Sequence, residues 1–444
     1  MEQQANGSLR LVMTGVALAV SLALGGAALA QAPGNGQNAS NEGTSRINSR
    51  NGAQEGEAAP PTQNNIDAAT GKALNEAIEL LNMENYQAAA AKINTLNLEK
   101  LSPYERGTVE RILFSISYAQ DKFEEARGHL QKAIDSGGLN AVQIDEAKYQ
   151  AAQLYMQEEK WKEGAAALEE WFKTAATPNS AAYYLLAVAY YQQEDFTRAL
   201  APAKKAVELM DPKKPNENWL SMLSALYLSR EEYREAIPLL QQLIETAPDK
   251  KGYWIQLSSV YIQTEDYANG LAVLQLAYNV GLLTEDSEVR RLADLLVFND
   301  VPYRGGQILE TAIENKVVTL DEKLYEKLAN CWIAAAELDR SIAPLTQAAE
   351  LSATGDLFVH LGEVHVQRED WPAAIAAVQR GVVKGRLKDA GSAQLMLGIA
   401  HYRQNEYEDA VPFLQRARQS DRHRQMAESY LQVIAAVQRS RNTL

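Results

Sequence analysis

An aromatic residue followed three positions later by a small one recurs along this chain at a nearly constant interval, and that recurrence limits the fold more than any other feature. The pairs are Tyr86 with Ala89, Phe123 with Ala126, Trp161 with Gly164, Phe196 with Ala199 and Tyr233 with Ala236. They continue as Tyr267 with Gly270, Tyr303 with Gly306, Leu338 with Ser341, Trp371 with Ala374 and Tyr407 with Ala410. Only Leu338 breaks the aromatic rule, and successive pairs lie 33 to 38 residues apart. Self-similarity at one period marks a repeat array, in which each unit covers the apolar face of its neighbour. Length therefore does not count domains, although 444 residues would otherwise suggest two or three globular ones.

A three-residue spacing puts both members of a pair on one face of a helix, where the small residue admits a neighbouring helix and the aromatic fills the gap beside it. An earlier helix in each unit carries marks of its own. Tyr155, Tyr190, Tyr227 and Tyr261 each precede the aromatic of their unit by six residues. Three units share a refrain: Tyr183-x-x-Leu186-Ala187-x-x-Tyr190, Leu220-x-x-Leu223-Ser224-x-x-Tyr227 and Trp254-x-x-Leu257-Ser258-x-x-Tyr261. This spacing predicts an amphipathic helix. An all-α chain is expected, and 14 prolines in 444 residues agree with it.

These residues resemble the tetratricopeptide repeat, a helix-turn-helix unit whose arrays wind into right-handed superhelices with a concave groove. The resemblance covers roughly residues 70–420. It is strongest from Ala181 to Leu276 and returns at Tyr325-x-x-Leu328-Ala329 and Leu397-Gly398. It implies an all-α, right-handed superhelical solenoid of about ten repeats over 67–420, and residues 421–444 supply a capping helix, Met426–Gln438, and a tail. The pattern is weakest near 287–314, where Val297 stands in place of the inner tyrosine, and the array there either runs on or bends into two halves.

The N-terminal segment reads differently. Leu11–Leu24 is apolar and uncharged, follows Arg10 and runs into Ala28-Leu29-Ala30, which predicts a secretory signal (1–30) cleaved after Ala30. The competing reading is a membrane anchor, because the apolar stretch extended to Ala30 reaches about 20 residues. Small residues at its end and the lack of a following basic stop favour cleavage. Residues 31–66 are Asn, Gly, Gln, Ser, Ala and Pro with few aliphatic side chains, the composition of a polar linker. A periplasmic location is the expectation.

The formal net charge is -14, the wrong sign for gripping a phosphate backbone or an anionic membrane surface. Cys331 is alone, so neither an intramolecular disulfide nor a cysteine zinc cage can form, and it reads as a small buried hydrophobe. His360 and His365 are five apart and point to different sides of a helix, while His365 and His401 take inner-tyrosine slots. Gly137-Gly138 and Gly305-Gly306 lack the strand, further glycines and lysine of a phosphate cradle. The acidic pairs Glu124-Glu125, Glu158-Glu159 and Glu231-Glu232 fall at helix starts or in turns, where they complement the helix dipole. No catalytic, cofactor or metal set is assigned.

In the family, binding uses the exposed face of each first helix. Carried to this chain, the resemblance implies a partner groove of Tyr149, Gln153 and Met156, then Tyr184, Val188 and Tyr191, then Ile255, Ser259 and Ile262; several of these alternatively pack between repeats. The lysine and asparagine clamp for a terminal carboxylate is missing: Asn330 is suitably placed, but Glu326 stands where a lysine is wanted. Arg416, Arg418, Arg422 and Arg424 form the one basic patch, either decorating a helix end or docking an acidic partner. An exported array with a polar tail resembles periplasmic proteins accompanying TonB–ExbB–ExbD systems, which implies a non-enzymatic scaffold whose partners are TonB, ExbB or ExbD-type components or outer-membrane receptors. A cell-envelope assembly factor is the second reading and a glycan-acting envelope enzyme a remote third.

Overall fold

The computed structural model describes residues 66–441. The predicted signal segment, nearly all of the polar linker and the last three residues lie outside them. Two compact units are present, one ending at Glu231 and the other starting at Glu232. Among the described residues all regular structure is helical, and no helix is long and apolar enough to cross a membrane.

The first unit holds α1 (Ala68–Asn82), α2 (Tyr86–Ile93), α3 (Pro103–Ala119), α4 (Phe123–Asp135), α5 (Ala141–Gln157), α6 (Trp161–Phe172), α7 (Ser180–Gln192), α8 (Phe196–Glu208) and α9 (Glu217–Ser229). The second holds α10 (Tyr233–Thr246), α11 (Lys251–Gln263), α12 (Tyr267–Asn279), α13 (Asp286–Phe298), α14 (Pro302–Glu314), α15 (Glu322–Ala334) and α16 (Leu338–Leu351). It continues with α17 (Asp356–Gln367), α18 (Trp371–Lys384), α19 (Ala390–Arg403), α20 (Tyr407–Ala417) and α21 (Arg424–Arg441). Within each unit, helices joined by a tight turn pack on one another and on the next pair, the one-dimensional order of a helical repeat. Each recurrent aromatic, or for Tyr303 the proline before it, opens a second helix.

All ten small residues of the recurrent pairs are buried: Ala89, Ala126, Ala199, Ala236, Ser341, Ala374 and Ala410 at 0% exposure, with Gly164, Gly270 and Gly306 also inside. Their size is what lets the helices meet. A Cβ on Gly306 would stand 2.6 Å from the Trp332 ring, and one on Gly164 would stand 2.6 Å from the Met156 sulfur. Region 287–314 is an ordinary part of the second unit: Leu292, Ala293 and Leu296 of α13 share a core with Ile308 and Leu309 of α14. At the end of the chain, Ala427 and Ile434 of α21 cover Ala410, Leu414 and Ala417 of α20.

The turn inside each repeat has one construction. The first helix ends in a left-handed residue, which stands at Glu84, Asp121, Glu159, Glu194, Glu231, Glu265, Asp300, Ala336, Glu369 and Asn405, all with φ between 56° and 64°. In nine of these turns the next amide then bonds back to a carbonyl five residues earlier, as in Lys160 N to Tyr155 O (2.9 Å), Asp195 N to Tyr190 O (3.0 Å) and Asp370 N to His365 O (2.9 Å). That is a Schellman closure, and its acceptor is the inner-tyrosine slot of the refrain except after α13, where Leu296 accepts in place of Val297. Glycine is the usual occupant of the left-handed position, yet none is used here. Ala336 has only a Cβ to strain against the following carbonyl, so Ala336→Gly is expected to raise stability by about 1 kcal/mol in urea denaturation. A loss would show that the turn carries no left-handed strain.

Candidate partner-binding face

In the first unit the face lies on α5, α7 and α9. Tyr149 and Gln153 of α5 are half-buried, and the Tyr149 ring rests 4.7 Å from Trp171, where burial pushes its hydroxyl pKa up. Tyr184 of α7 stacks on Trp219 of α9 at 5.6 Å and 30°, and burial takes its pKa to about 12. Trp219 belongs to this face, but it sits one residue before the refrain and so carried no mark in the sequence.

Three expected groove residues are packing residues instead. Met156 is 1% exposed, Val188 0% and Tyr191 8%. Met156 fills the space that Gly164 leaves open. Val188 and Tyr191 are on α7, a helix apolar on every side, and both are enclosed while Tyr184 of the same helix stays half-buried. Tyr191 packs against Phe196 with 5.3 Å between centroids.

In the second unit the face runs over α11 and α13. Ile255, Ser259 and Ile262 are half-buried, and the two isoleucines lean on the core shared with α13. The Ser259 hydroxyl donates to the Ile255 carbonyl (2.7 Å) and accepts from Arg291 Nη2 (3.0 Å). Phe298, 61% exposed at the end of α13, lies 4.5 Å from the Tyr267 ring. Sequence reasoning missed Arg291, although it follows Ile255 by one repeat and so takes the same slot on the next first helix.

Other polar groups are tied to their own surroundings. His129 pairs with Glu110 (2.6 Å), His423 with Asp389 (2.9 Å) and His401 Nδ1 with Glu406 (2.7 Å). His365 is 9% exposed, and burial pulls its pKa down. Among the described residues one set of three could approach a single cation: His401, Glu406 and Asp409, with ligand atoms within 4.8 Å of one another. Two of the three are exposed, and they open α20, where carboxylates favour the helix dipole. Cys331 is fully buried, which pushes its thiol pKa to about 11. In the basic patch, Arg422 faces Asp389 (3.4 Å) and Arg424 faces Asp421 (2.5 Å), while Arg416 lies over the Phe413 ring and Arg418 caps α20.

Family comparison finds the tetratricopeptide repeat at residues 149–216, 220–252 and 360–424. No curated protein matches the chain. Among solved structures, the C-terminal part of a repeat-containing protein from Cytophaga hutchinsonii is 14% identical, covers 63% of this chain and 95% of its own, and gives a TM-score of 0.35. A tetratricopeptide repeat protein from Parabacteroides merdae is 17% identical over 58% of this chain and 98% of its own, with a TM-score of 0.31. YrrB, a repeat protein with an unusual peptide-binding site, is 18% identical over 39% of this chain and 85% of its own, with a TM-score of 0.33.

Proposed function

Because the chain carries tetratricopeptide repeats, which make it a protein–protein interaction scaffold, we propose that it works as an exported adaptor in the periplasm, supporting a TonB-type energy-transducing transport system. The observation that carries the binding role is the pair of first-helix faces. Tyr149, Gln153, Tyr184 and Trp219 in one unit, and Ile255, Ser259 and Ile262 in the other, are left partly open to solvent. Rings supply area at little entropic cost and amides read backbone polar groups, the equipment for holding an extended or helical peptide. The export reading is supported by the apolar run Leu11–Leu24 and the Ala28-Leu29-Ala30 site. The acidic balance of -14 supports partners that are proteins and not nucleic acid.

In-cell cross-linking of the tagged chain, followed by identification of the captured proteins, tests the assignment. Recovery of TonB, ExbB or ExbD-type proteins, or of outer-membrane receptors, is the expected result. Recovery of wall-synthesis proteins would move the assignment to envelope assembly, and a chain that stays in the cytoplasm would sink both. With the partner in hand, Tyr184→Ser is expected to weaken its capture roughly tenfold while leaving the helical circular dichroism signal intact. Unchanged capture would remove the face of the first unit from the binding surface.

A further inference from the structure

On the first-helix face of the second unit, Arg291 is a cation with no counter-charge among the described residues. Its guanidinium has five N–H donors. One of these reaches Ser259 Oγ at 3.0 Å, and the others meet no protein acceptor among the described residues. Ser259 in turn spends its proton on the Ile255 carbonyl at 2.7 Å, so its lone pairs are aimed at the guanidinium and hold it in place. The residue beside it makes the contrast plain. Burial acts on Arg290 as well, but Asp286 and Asp321 pair with it and push its pKa up. Arg291 has no carboxylate within ion-pair distance among the described residues, and burial pulls its pKa down.

A guanidinium that is partly desolvated and unpaired is a cost to folding that packed apolar residues would avoid. The fork it presents matches a carboxylate, which it can grip through two parallel hydrogen bonds. The surroundings say which carboxylate. Ile255 lies one turn before Ser259 and Ile262 one turn after it on the same stripe of α11. Phe298 stands exposed two turns beyond Arg291 on α13. Apolar surface therefore flanks the charge on both sides, and a segment that ended at the guanidinium would leave one side bare.

We propose that Arg291, positioned by Ser259, receives an acidic side chain within an extended partner segment, whose neighbouring aliphatic residues lie on Ile255, Ile262 and Phe298. This rests on the scaffold reading above and adds the chemistry of one contact to it.

The test uses the full chain and a randomised set of short peptides with amidated C-termini. The expected result is enrichment of Glu or Asp flanked by aliphatic residues among the peptides bound. In the best binder, Glu→Gln in the peptide and Arg291→Gln in the chain should each weaken affinity about tenfold. The two changes together should cost no more than either alone, because they remove one interaction. Arg291→Lys should recover part of the loss. The thermal midpoint of the Arg291→Gln chain should hold or rise, since an unpaired, partly desolvated charge is gone; a purely structural arginine would lower it. Binding without acidic preference, or unaffected by Arg291→Gln, overturns this contact and leaves the scaffold reading intact. Arg291-dependent binding of peptides that carry only a free terminal carboxylate would overturn the internal acidic residue in favour of a chain end. No peptide binding at all would sink the contact, and the cross-linking experiment then judges the scaffold reading separately.

Discussion

Trp332→Ala is expected to lower the stability of the second unit by about 3 kcal/mol. The indole is completely buried in the core that joins α13, α14 and α15. Gly306 lies against one side of the ring, Tyr303 meets it edge-on at 5.4 Å and 77°, and the Arg340 guanidinium stands 3.4 Å from the ring centroid on its way to Glu310. Truncation loses the transfer energy of the ring and leaves a cavity that rigid helices close only in part, together about 3–5 kcal/mol for a buried tryptophan. The indole N–H is buried without an acceptor, a standing penalty of about 1 kcal/mol that the mutation relieves. Repeat arrays do not unfold in one step. The measurement is therefore urea denaturation followed by hydrogen exchange, with the loss assigned to residues beyond Glu232. A loss below about 0.5 kcal/mol, within the range of an ordinary surface change, would mean that the ring is not the keystone of that core.

Gly355→Ala should cost nearly as much, about 2–3 kcal/mol, by the opposite mechanism. Gly355 precedes α17, and a Cβ there would lie 2.0 Å from the carbonyl oxygen of Gly381 on α18 and 2.9 Å from a methyl of Leu387. The first obstacle is backbone, which cannot rotate aside as a side chain can. The approach is pinned from the other side by the Gly355 amide, which donates to the Gly385 carbonyl at 2.9 Å. Relief would require α17 and α18 to separate, with loss of packing around Phe358 and Leu361. Gly128→Ala is the matched control. It sits inside α4 with nothing within 4 Å of an added Cβ, so it should gain about 1 kcal/mol from helix propensity alone. Equal losses at both positions would refute the steric account.

The repeat was legible because its two marks are demanded by packing and not by function. A helix can approach its partner at Ala126 or Gly164 only if the residue there is small, and each aromatic must start a helix to cover the gap. The turns were less legible. Reading for glycine finds none of the left-handed residues inside the repeats, because the hydrogen bonds of the closure hold Glu159 or Ala336 in a conformation that their own preferences disfavour. The groove was legible only in part. On α11, where Gln256, Ser258 and Ser259 interrupt the apolar run, the slots of Ile255, Ser259 and Ile262 do reach the surface. On α7 the run Tyr183–Tyr191 is apolar throughout, and a period of 3.6 in which every position is hydrophobic contains no information about which side faces water. Val188 and Tyr191 were therefore assigned to the wrong side. Arg291 was missed for a related reason: α13 matches the refrain least, so its slots were never carried across from α11.

The left-handed residue at the end of each first helix also bears on how such a chain changes length. Excising residues 160–194 would join Glu159 directly to Asp195, and the junction would find the backbone that Glu159 at φ 57° and Glu194 at φ 59° already share. No new turn has to be invented, and the first residue after the cut is one that already caps a second helix through the Arg198 amide. Gain or loss of one repeat by unequal recombination is then a change in copy number and not in architecture, provided the breakpoints fall at these equivalent positions.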